Sequence, residues 1–226
     1  MDDISRSGEQ QEATAVAGEA ARRKRALRTS LRAERAATSH RAVDEDALLA
    51  AHADAVMDLL DGIPRPTVAA FDPTATEPDV RRLVRALLDR GSRVLLPVQS
   101  GDGGLAGGHG PTEHASVDWA TWDGRAPLVA ASVRGFGAEP TSERLGADAL
   151  AQVDLVLAPA LAVDLSGTRL GHGGGYYDRA LAHSRGSTVV AVVHPWEVLA
   201  ARALPREAHD RPAHVALTTQ GLLRLG

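Results

Sequence analysis

The stretch TVAAFDPTATEPDVRRLVRALLDRGSRVLLPV, residues 67–98, decides the fold. Its two short apolar runs, 67–71 and 93–98, have the length and composition of buried strands. Between them, residues 78–90 repeat apolar side chains at helical spacing. Residues 76–79 have the pattern of a capping box, with a proline near the start of the helix. The order strand, helix, strand predicts a parallel sheet with a right-handed crossover.

Apolar runs and helical patterns continue on both sides of this unit. The near-continuous apolar run at 153–163 is typical of a central parallel strand that is buried on both faces. Residues 99–140 break the rhythm with a glycine-rich loop, and short segments there predict edge strands or a hairpin. Trp119 and Trp122 lie in this region and fit either core packing or the wall of a pocket. Further predicted helices cover 19–37, 44–60, 147–152 and 176–184, and further predicted strands cover 188–193 and, at a sheet edge, 214–218.

Length and composition fit one domain over 19–226, preceded by a polar and disordered tail at 1–18. The net charge of -4 gives no general attraction to nucleic acid or anionic membranes. The absence of cysteine excludes disulfides, thiolate nucleophiles and cysteine-based metal sites. No apolar run approaches the roughly 20 residues that span a bilayer, and the N-terminus lacks the apolar core of a signal peptide. We therefore expect a cytoplasmic protein that binds neither nucleic acid nor membrane.

The most informative motif is RLGHGGGYYDR at 169–179, in which a glycine loop leads into a predicted helix. Glycines let the backbone approach a phosphate and point N–H groups at it, and a helix N-terminus adds partial positive charge. The Walker pattern does not fit, because Gly-Tyr-Tyr stands where Gly-Lys-Ser/Thr is needed, and the dinucleotide fingerprint does not fit either. A tight turn that needs glycine is the alternative, which the flanking arginines disfavour. The candidate anion-binding residues are Gly171, Gly173, Gly174 and Gly175, bracketed by Arg169 and Arg179.

Three chemically capable side chains follow the glycines at the start of the predicted helix. Asp178 is suited to bind magnesium beside phosphates, or it simply stabilises the helix N-terminus as a carboxylate. A magnesium site calls for a second carboxylate, which spacing alone does not identify. Tyr176 and Tyr177 point in different directions on a helix. One ring is therefore expected to face the reacting groups and the other to pack against the sheet.

The motif at 169–179 closely resembles the signature of the 5-formyltetrahydrofolate cyclo-ligase family. Other segments resemble that family in the same order along the chain, from about residue 20 to the C-terminus. Each would be weak evidence alone, but their order makes a chance match improbable. These segments are KRALR at 24–28, TEP at 76–78, LLPV at 95–98, GFGAEP at 135–140, VLAPALAVD at 156–164 and LPREAHDRP at 204–212.

The resemblance implies a three-layer α/β/α fold with a mostly parallel central sheet, of the type shared with sugar-phosphate isomerases and CoA transferases. It implies an ATP- and Mg²⁺-dependent ligase that converts 5-formyltetrahydrofolate to 5,10-methenyltetrahydrofolate and releases ADP and phosphate. In the implied chemistry the formyl oxygen attacks the γ-phosphate, N10 of the folate attacks the resulting iminium phosphate, and phosphate leaves. Positioning and charge neutralisation are what such phosphoryl transfer needs most. We expect the enzyme to act as a monomer.

The resemblance also implies roles for single residues. Lys24 and Arg28, one helical turn apart, would bind ATP, although an exposed basic helix face also explains them. Glu77 and Asp72 would contact the folate, and a carboxylate such as Glu77 pairs well with pterin N–H donors. Asp210 would join Asp178 as the second magnesium ligand. The implied ATP-binding set is Lys24, Arg28, Arg169, Leu170, Gly171, His172, Gly173, Gly174, Gly175, Tyr176 and Tyr177, and the implied catalytic set is Arg169, Tyr176, Tyr177 and Asp178.

Three positions depart from the family pattern. Asp72 stands where the family commonly has an apolar residue, and His172 stands where Arg or Lys is frequent. The segment HPWE at 194–197 replaces one usually written with Phe and Gln. Two alternatives stay open, and the departures at His172 and 194–197 support only the first of them. One is a noncatalytic folate- or nucleotide-binding module on the same scaffold, and the other is an enzyme similar to the sugar-phosphate isomerases.

Overall fold

The computed structural model describes residues 2–38, 44–99, 117–131, 137–184, 186–207 and 210–226, with side chains from residue 18 onward. In these ranges short 3-10 helices cover Ala147–Gln152 and Pro195–Glu197. The α-helices are α1 (Asp2–Thr38), α2 (Glu45–Ala50), α3 (Ala53–Asp58), α4 (Arg81–Asp89) and α5 (Tyr176–His183). The strands are β1 (Thr67–Ala69), β2 (Arg93–Gln99), β3 (Val117–Trp122), β4 (Val129–Ala130), β5 (Ala138–Glu139), β6 (Leu155–Pro159), β7 (Ala162–Asp164), β8 (Arg169–Leu170), β9 (Thr188–Val192), β10 (Val198–Leu199), β11 (Val215–Thr218) and β12 (Gly221–Arg224).

A mostly parallel sheet forms the centre of the described part of the chain. Its seven strands run in the order β12-β11-β9-β6-β1-β2-β3. Neighbours from β11 to β2 pair in parallel, whereas β12 and β3 add antiparallel edges. The chain builds outward from β1 through β2 in one direction and from β6 through β9 in the other. The gap beyond the carboxyl ends of β1 and β6 is therefore the switch point at which such sheets bind ligands.

Alternate residues of the central strands enter separate cores on the two faces of the sheet. Val68 and Ala70 pack with α2, α3 and α4 on one face. Ala69 packs on the other face, together with α5 and the 3-10 helix at Ala147–Gln152. The fold class predicted from the sequence, three layers around a mostly parallel sheet, is confirmed.

The helix α1 packs on a smaller sheet rather than on the central one. Strands β10, β7 and β8 form this sheet. Leu31 of α1 is buried in one cluster with Ala162 and Leu170 of the small sheet and with Leu161, which precedes β7, and Leu27 packs beside them. The other faces of α1 therefore lie near the loops that leave the central sheet, including the glycine loop. No helix in the described part of the chain is both long and apolar enough to cross a membrane.

Several predicted elements differ from the structure. The capping box expected at 76–79 is wrong, because Glu77 accepts hydrogen bonds from Thr74 instead and α4 begins only at Arg81. The helix expected over 44–60 is divided into α2 and α3, with a turn at His52, whose ring contacts the carbonyl of Thr219 at 3.1 Å. The strand at 214–218 does not form the edge of the sheet, since β12 pairs on its outer side.

The region 99–140 is described only in part, since residues 100–116 and 132–136 lie outside the described residues. The edge strand expected there is β3, which pairs with β2. Trp119 and Trp122 belong to the two cores, with exposed fractions of 0% and 6%. The helix α1 begins at Asp2, inside the segment 1–18 for which the sequence predicts a disordered tail. That tail, and the single domain over 19–226, stay predictions.

Candidate active site

A cleft of about 690 Å³ lies at the switch point of the sheet. The loop after β1, the ends of β2 and β6, strand β5 and the glycine loop 171–175 line it. The glycine loop connects β8 to α5, and Gly175 is the N-cap residue of α5. Gly173 has φ of 100°, and a Cβ atom there would lie 3.3 Å from Nε of Arg28. A side chain at this position would therefore strain the loop and press on the helix above it.

The basic face of α1 contacts the glycine loop directly. Arg28 donates from Nε to the carbonyl of Gly171 at 2.9 Å, and Arg32 donates to the carbonyl of His172. The structure thus brings Arg28 to the loop, as the sequence predicts. Arg32 was not predicted, although its spacing of one helical turn from Arg28 is the signal that could have found it. Leu170 is buried in the small core under α1, so only its backbone is placed to contact a ligand.

Lys24 lies one turn earlier on the same helix and is paired with two carboxylates. Its Nζ is 2.6 Å from Oε2 of Glu207 and 2.7 Å from Oδ2 of Asp210. The N–H of Glu207 also donates to Asp210 at 2.8 Å. Burial would lower the pKa of Lys24, but the two carboxylates outweigh it and raise the pKa above its ordinary value. Lys24 is therefore a buried cation, and Glu207 is a site residue that the sequence did not indicate.

Arg169 is the most deeply buried cation of the cleft, with a side chain 1% exposed. It pairs with Asp178 and donates from Nη1 to the carbonyl of Pro159 at 3.4 Å. Its Nε is buried and has no hydrogen-bond partner in the part of the chain that the structure describes. A buried guanidinium N–H without an acceptor is costly, so this wall of the cleft is suited to an anionic ligand.

Asp178 pairs with Arg169 beside the glycine loop, and Asp210 pairs with Lys24 of α1. Burial and neighbouring Arg32 lower the pKa of Arg28, whereas Asp178, Asp210 and Glu207 act against this shift. No group of three or more metal-binding side chains occurs among the described residues. Magnesium commonly takes one or two carboxylates together with phosphate oxygens, so a pair of aspartates fits that ion.

The two adjacent tyrosines have different surroundings. Tyr177 packs edge-on against Trp119, with ring centroids 6.4 Å apart. Its hydroxyl is buried without a partner, and burial together with the charge of Glu77 raises its pKa. Tyr176 instead lies under the guanidinium of Arg179, 5.2 Å from the ring centroid. The ring of Tyr177 packs against the sheet and also lines the cleft, as does the ring of Tyr176, so the expected division of these two roles between the tyrosines stays a prediction.

The two carboxylates expected to contact folate are held differently. Asp72 pairs with Arg81 at 2.8 Å and accepts from the N–H of Ala138 at 2.8 Å. A Cβ atom on the neighbouring Gly137 would lie 1.9 Å from the carbonyl oxygen of Asp72, so glycine is required for this close approach. Asp72 thus anchors β5 beside the cleft, and its carboxylate is already engaged by protein groups.

Glu77 is 9% exposed and lies opposite the glycine loop. Its Oε1 is 3.1 Å from Nε2 of His172, and its Oε2 accepts from the N–H and hydroxyl of Thr74, each at 2.7 Å. Burial acts to raise the pKa of Glu77, but His172 and Thr74 outweigh it and hold the pKa below its ordinary value. The carboxylate is therefore ionised at neutral pH and joins the β1 loop to the glycine loop.

This lowered pKa predicts how Glu77 contributes to stability as pH changes. A carboxyl whose pKa is lower in the folded protein stabilises the fold above its unfolded pKa, about 4.3, and loses that effect as pH falls. We expect Glu77→Gln to lower the free energy of unfolding at pH 7. The difference from the parent protein should shrink as pH falls from about 5 to about 3. Urea titrations across this range measure it, and a difference independent of pH would contradict the assignment.

The departure at 194–197 forms a buried polar cluster next to the cleft. Glu197 is fully buried and pairs with Arg35 of α1, at 2.5 Å from Nε to Oε1 and 2.8 Å from Nη2 to Oε2. His194 stacks on Trp196, and its Nδ1 lies 2.8 Å from the carboxylate of Glu45. Arg35 continues the row of α1 cations and was not predicted. These residues fasten α1 to the sheet.

The three-layer α/β fold has a cleft at its switch point that is lined by a glycine loop and the buried guanidinium of Arg169. These features define a class of α/β proteins whose cleft is suited to an anionic ligand. The model of the 5-formyltetrahydrofolate cyclo-ligase family matches residues 20–219. A protein of that name from Mycolicibacterium smegmatis is 39% identical over 209 residues, which cover 90% of this chain and 98% of the relative. Another from Escherichia coli is 28% identical over 152 residues, covering 67% and 77%.

Solved structures agree with this match. The NMR structure of the Aquifex aeolicus 5,10-methenyltetrahydrofolate synthetase is similar, with a TM-score of 0.62, 27% identity and coverage of 89% of this chain and 92% of that one. The Mycoplasma pneumoniae 5,10-methenyltetrahydrofolate synthetase has a TM-score of 0.58 at 17% identity, with coverage of 86% and 97%, and supports the fold. The chain belongs to the 5-formyltetrahydrofolate cyclo-ligase family, a family of ligases.

Proposed function

We propose that the protein converts 5-formyltetrahydrofolate and ATP to 5,10-methenyltetrahydrofolate, ADP and phosphate. The observation that carries the proposal is the arrangement of one cleft. Arg169 and the glycine loop form one wall, and the carboxylate of Glu77 lies opposite. Arg28 and Arg32 of α1 hold that loop through its carbonyl groups. The family match supports the same reaction, since relatives that cover most of the chain carry the cyclo-ligase name.

The phosphate groups of ATP are assigned to the wall made by α1 and the glycine loop. Arg169 offers a buried Nε without an acceptor, and Arg28 and Lys24 approach from α1. The N-terminus of α5, which begins at Tyr176, adds partial positive charge. Transfer of a phosphoryl group is accelerated when several positive groups stabilise the negative charge on its oxygens in the transition state.

Magnesium is assigned to Asp178 and Asp210. These carboxylates come from α5 and from the segment before β11, and they pair with Arg169 and Lys24, respectively. When bound, the ion would neutralise the negative charge of the phosphate oxygens. This neutralisation would lower the barrier to transfer of the γ-phosphoryl group. The protein's part is to hold two carboxylates next to the glycine loop.

The folate is assigned to the side of the cleft that holds Glu77. An ionised carboxylate there pairs with N–H donors of the pterin and so orients the formyl group toward the phosphates. The formyl oxygen attacks the γ-phosphorus, and the bond from that phosphorus to the bridging oxygen of ADP breaks. N10 then attacks the activated formyl carbon, the carbon–oxygen bond to phosphate breaks, and N10 loses its proton.

The test is growth of the methenyl-folate absorbance when the purified protein is mixed with 5-formyltetrahydrofolate, ATP and Mg²⁺. Omitting ATP should abolish the signal, which separates this reaction from an isomerase-type activity. Calorimetry with each ligand is run in parallel. Binding without ADP release would favour the noncatalytic module, and a folded protein that neither turns over nor binds ATP would refute the proposal.

Tyr177 is expected to donate a hydrogen bond to the reacting groups. Its raised pKa keeps the hydroxyl protonated, and among the described residues that hydroxyl has no hydrogen-bond partner. Tyr177→Phe should lower kcat about 5- to 30-fold, the effect of losing about one to two kcal/mol of transition-state stabilisation. Stability should not fall, because the change removes a buried hydroxyl that has no partner.

Tyr176→Phe is the matched control, since its ring keeps the contact with Arg179. We expect a smaller change in kcat for this variant. Steady-state assays and thermal melts of both variants measure the difference. Loss of stability in Tyr177→Phe, or equal kcat in both, would contradict the assignment.

A further inference from the structure

The cations assigned to the phosphates are paired with the carboxylates assigned to magnesium. Lys24 lies 2.7 Å from Asp210, and Arg169 is bonded to Asp178. Both pairs are largely buried on the cation side, with Lys24 and Arg169 side chains 9% and 1% exposed. A cation in such a pair cannot bind a phosphate at full strength until its carboxylate has another positive partner.

Glu207 adds a second carboxylate to Lys24. Its Oε2 is 2.6 Å from Nζ, and its side chain is 32% exposed. The backbone N–H of Glu207 donates to Asp210, so the same short turn presents both carboxylates to Lys24. The resemblance assigns no role to Glu207, and its distance from Lys24 is shorter than that of Asp210.

We propose that Glu207 competes with ATP for Lys24, and that magnesium and ATP bind cooperatively by exchanging the two ion pairs. This inference rests on the proposed function. ATP alone would have to take Lys24 and Arg169 from Asp210 and Asp178, leaving two carboxylates next to the phosphates. Breaking a partly buried ion pair and leaving one charge without a partner is strongly unfavourable. Magnesium removes that cost, because the aspartates bind the ion while the cations bind the phosphates.

Glu207 behaves differently from Asp210 in this exchange. Asp210 leaves Lys24 for the metal, whereas Glu207 stays beside Lys24 and continues to weaken its hold on phosphate. Removing the charge of Glu207 should therefore strengthen ATP binding with and without magnesium. Removing the charge of Asp210 should strengthen ATP binding without magnesium but weaken it with magnesium, because a metal ligand is lost.

The experiment is calorimetric titration of ATP, without folate, into the full-length protein in Mg²⁺ and in EDTA. For Glu207→Gln we expect the Kd for ATP to fall about three- to fivefold in both buffers, as suits a partly exposed pair. For Asp210→Asn we expect a lower Kd in EDTA, by about tenfold, and a higher Kd in Mg²⁺. Asparagine keeps the side-chain oxygen that accepts from Glu207, so the turn is retained.

Asp54→Asn is the control for net charge, since Asp54 pairs with Arg90 on the outer surface and does not line the cleft. Its Kd for ATP should equal that of the parent protein in both buffers. An unchanged or higher Kd for Glu207→Gln in EDTA would overturn the inference, even if Asp210→Asn fails to fold. A parent protein that binds no ATP in Mg²⁺ would instead overturn the proposed function, and this inference with it.

Discussion

Glu197→Ala is expected to lower the free energy of unfolding by about 3–5 kcal/mol, the cost of leaving a buried charge without its partner. Glu197 is 0% exposed and accepts from Nε and Nη2 of Arg35 and from the N–H of His194. Without Glu197, the guanidinium of Arg35 keeps its bond to the carbonyl of Ala160 but loses its counter-charge. Urea denaturation at neutral pH measures the change.

Two controls separate charge from packing. Asp54→Ala removes the exposed ion pair with Arg90, and we expect no measurable change in stability. Replacing Arg35 and Glu197 together with Met should recover most of the lost stability, because apolar pairs of similar volume often substitute well for buried ion pairs. A small effect of Glu197→Ala, or no recovery in the double variant, would contradict the assignment.

Arg169→Met is expected to lower kcat/KM about 10²- to 10³-fold, the range found when one group that stabilises transition-state charge is removed. Met preserves much of the apolar volume of the arginine stem, while the positive charge and the Nε donor are lost. Arg169 is the buried cation closest in sequence to the glycine loop, and its partner Asp178 is assigned to the metal. Steady-state rates with ATP varied at saturating folate measure the effect.

Arg179→Met provides the comparison. Arg179 lies in the same loop–helix segment, but it is exposed and stacks on Tyr176. We expect a loss of less than about tenfold for this variant, the effect of one exposed cation–π contact. An equal loss of kcat/KM in the two variants would contradict this assignment. It would show that the total positive charge near the loop, rather than the buried position of Arg169, determines the rate.

Much of the central sheet could be predicted from the sequence, because parallel strands buried on both faces must be apolar at successive positions. The run 153–163 predicted a central strand, and β6 lies between β9 and β1. The glycine loop could be predicted as well, since clustered glycines before a helix restrict the possible backbone geometry. Helix boundaries were less predictable: the pattern at 76–79 predicts a capped helix start, but α4 begins at Arg81 after Val80, with no side-chain cap.

The ion pairs of the site could not be predicted from spacing. Lys24 and Glu207 are separated by 183 positions, and no local pattern relates them. From the sequence, the row of cations on α1 predicts a solvent-exposed helix face. The sequence pattern gives the positions of the charges on the helix but does not give the protein surface against which that face packs. Only the packing of Leu31 on the small sheet turns that face toward the loops of the cleft.

The position of α1 has a consequence for the order of folding. Its contacts reach Ala160, Gly171 and Asp210, at sequence separations of 125, 143 and 186 residues. During synthesis α1 leaves the ribosome well before these groups, so its docking must wait until most of the intervening chain has been made. The contacts between α1 and the glycine loop therefore belong to the late steps of folding.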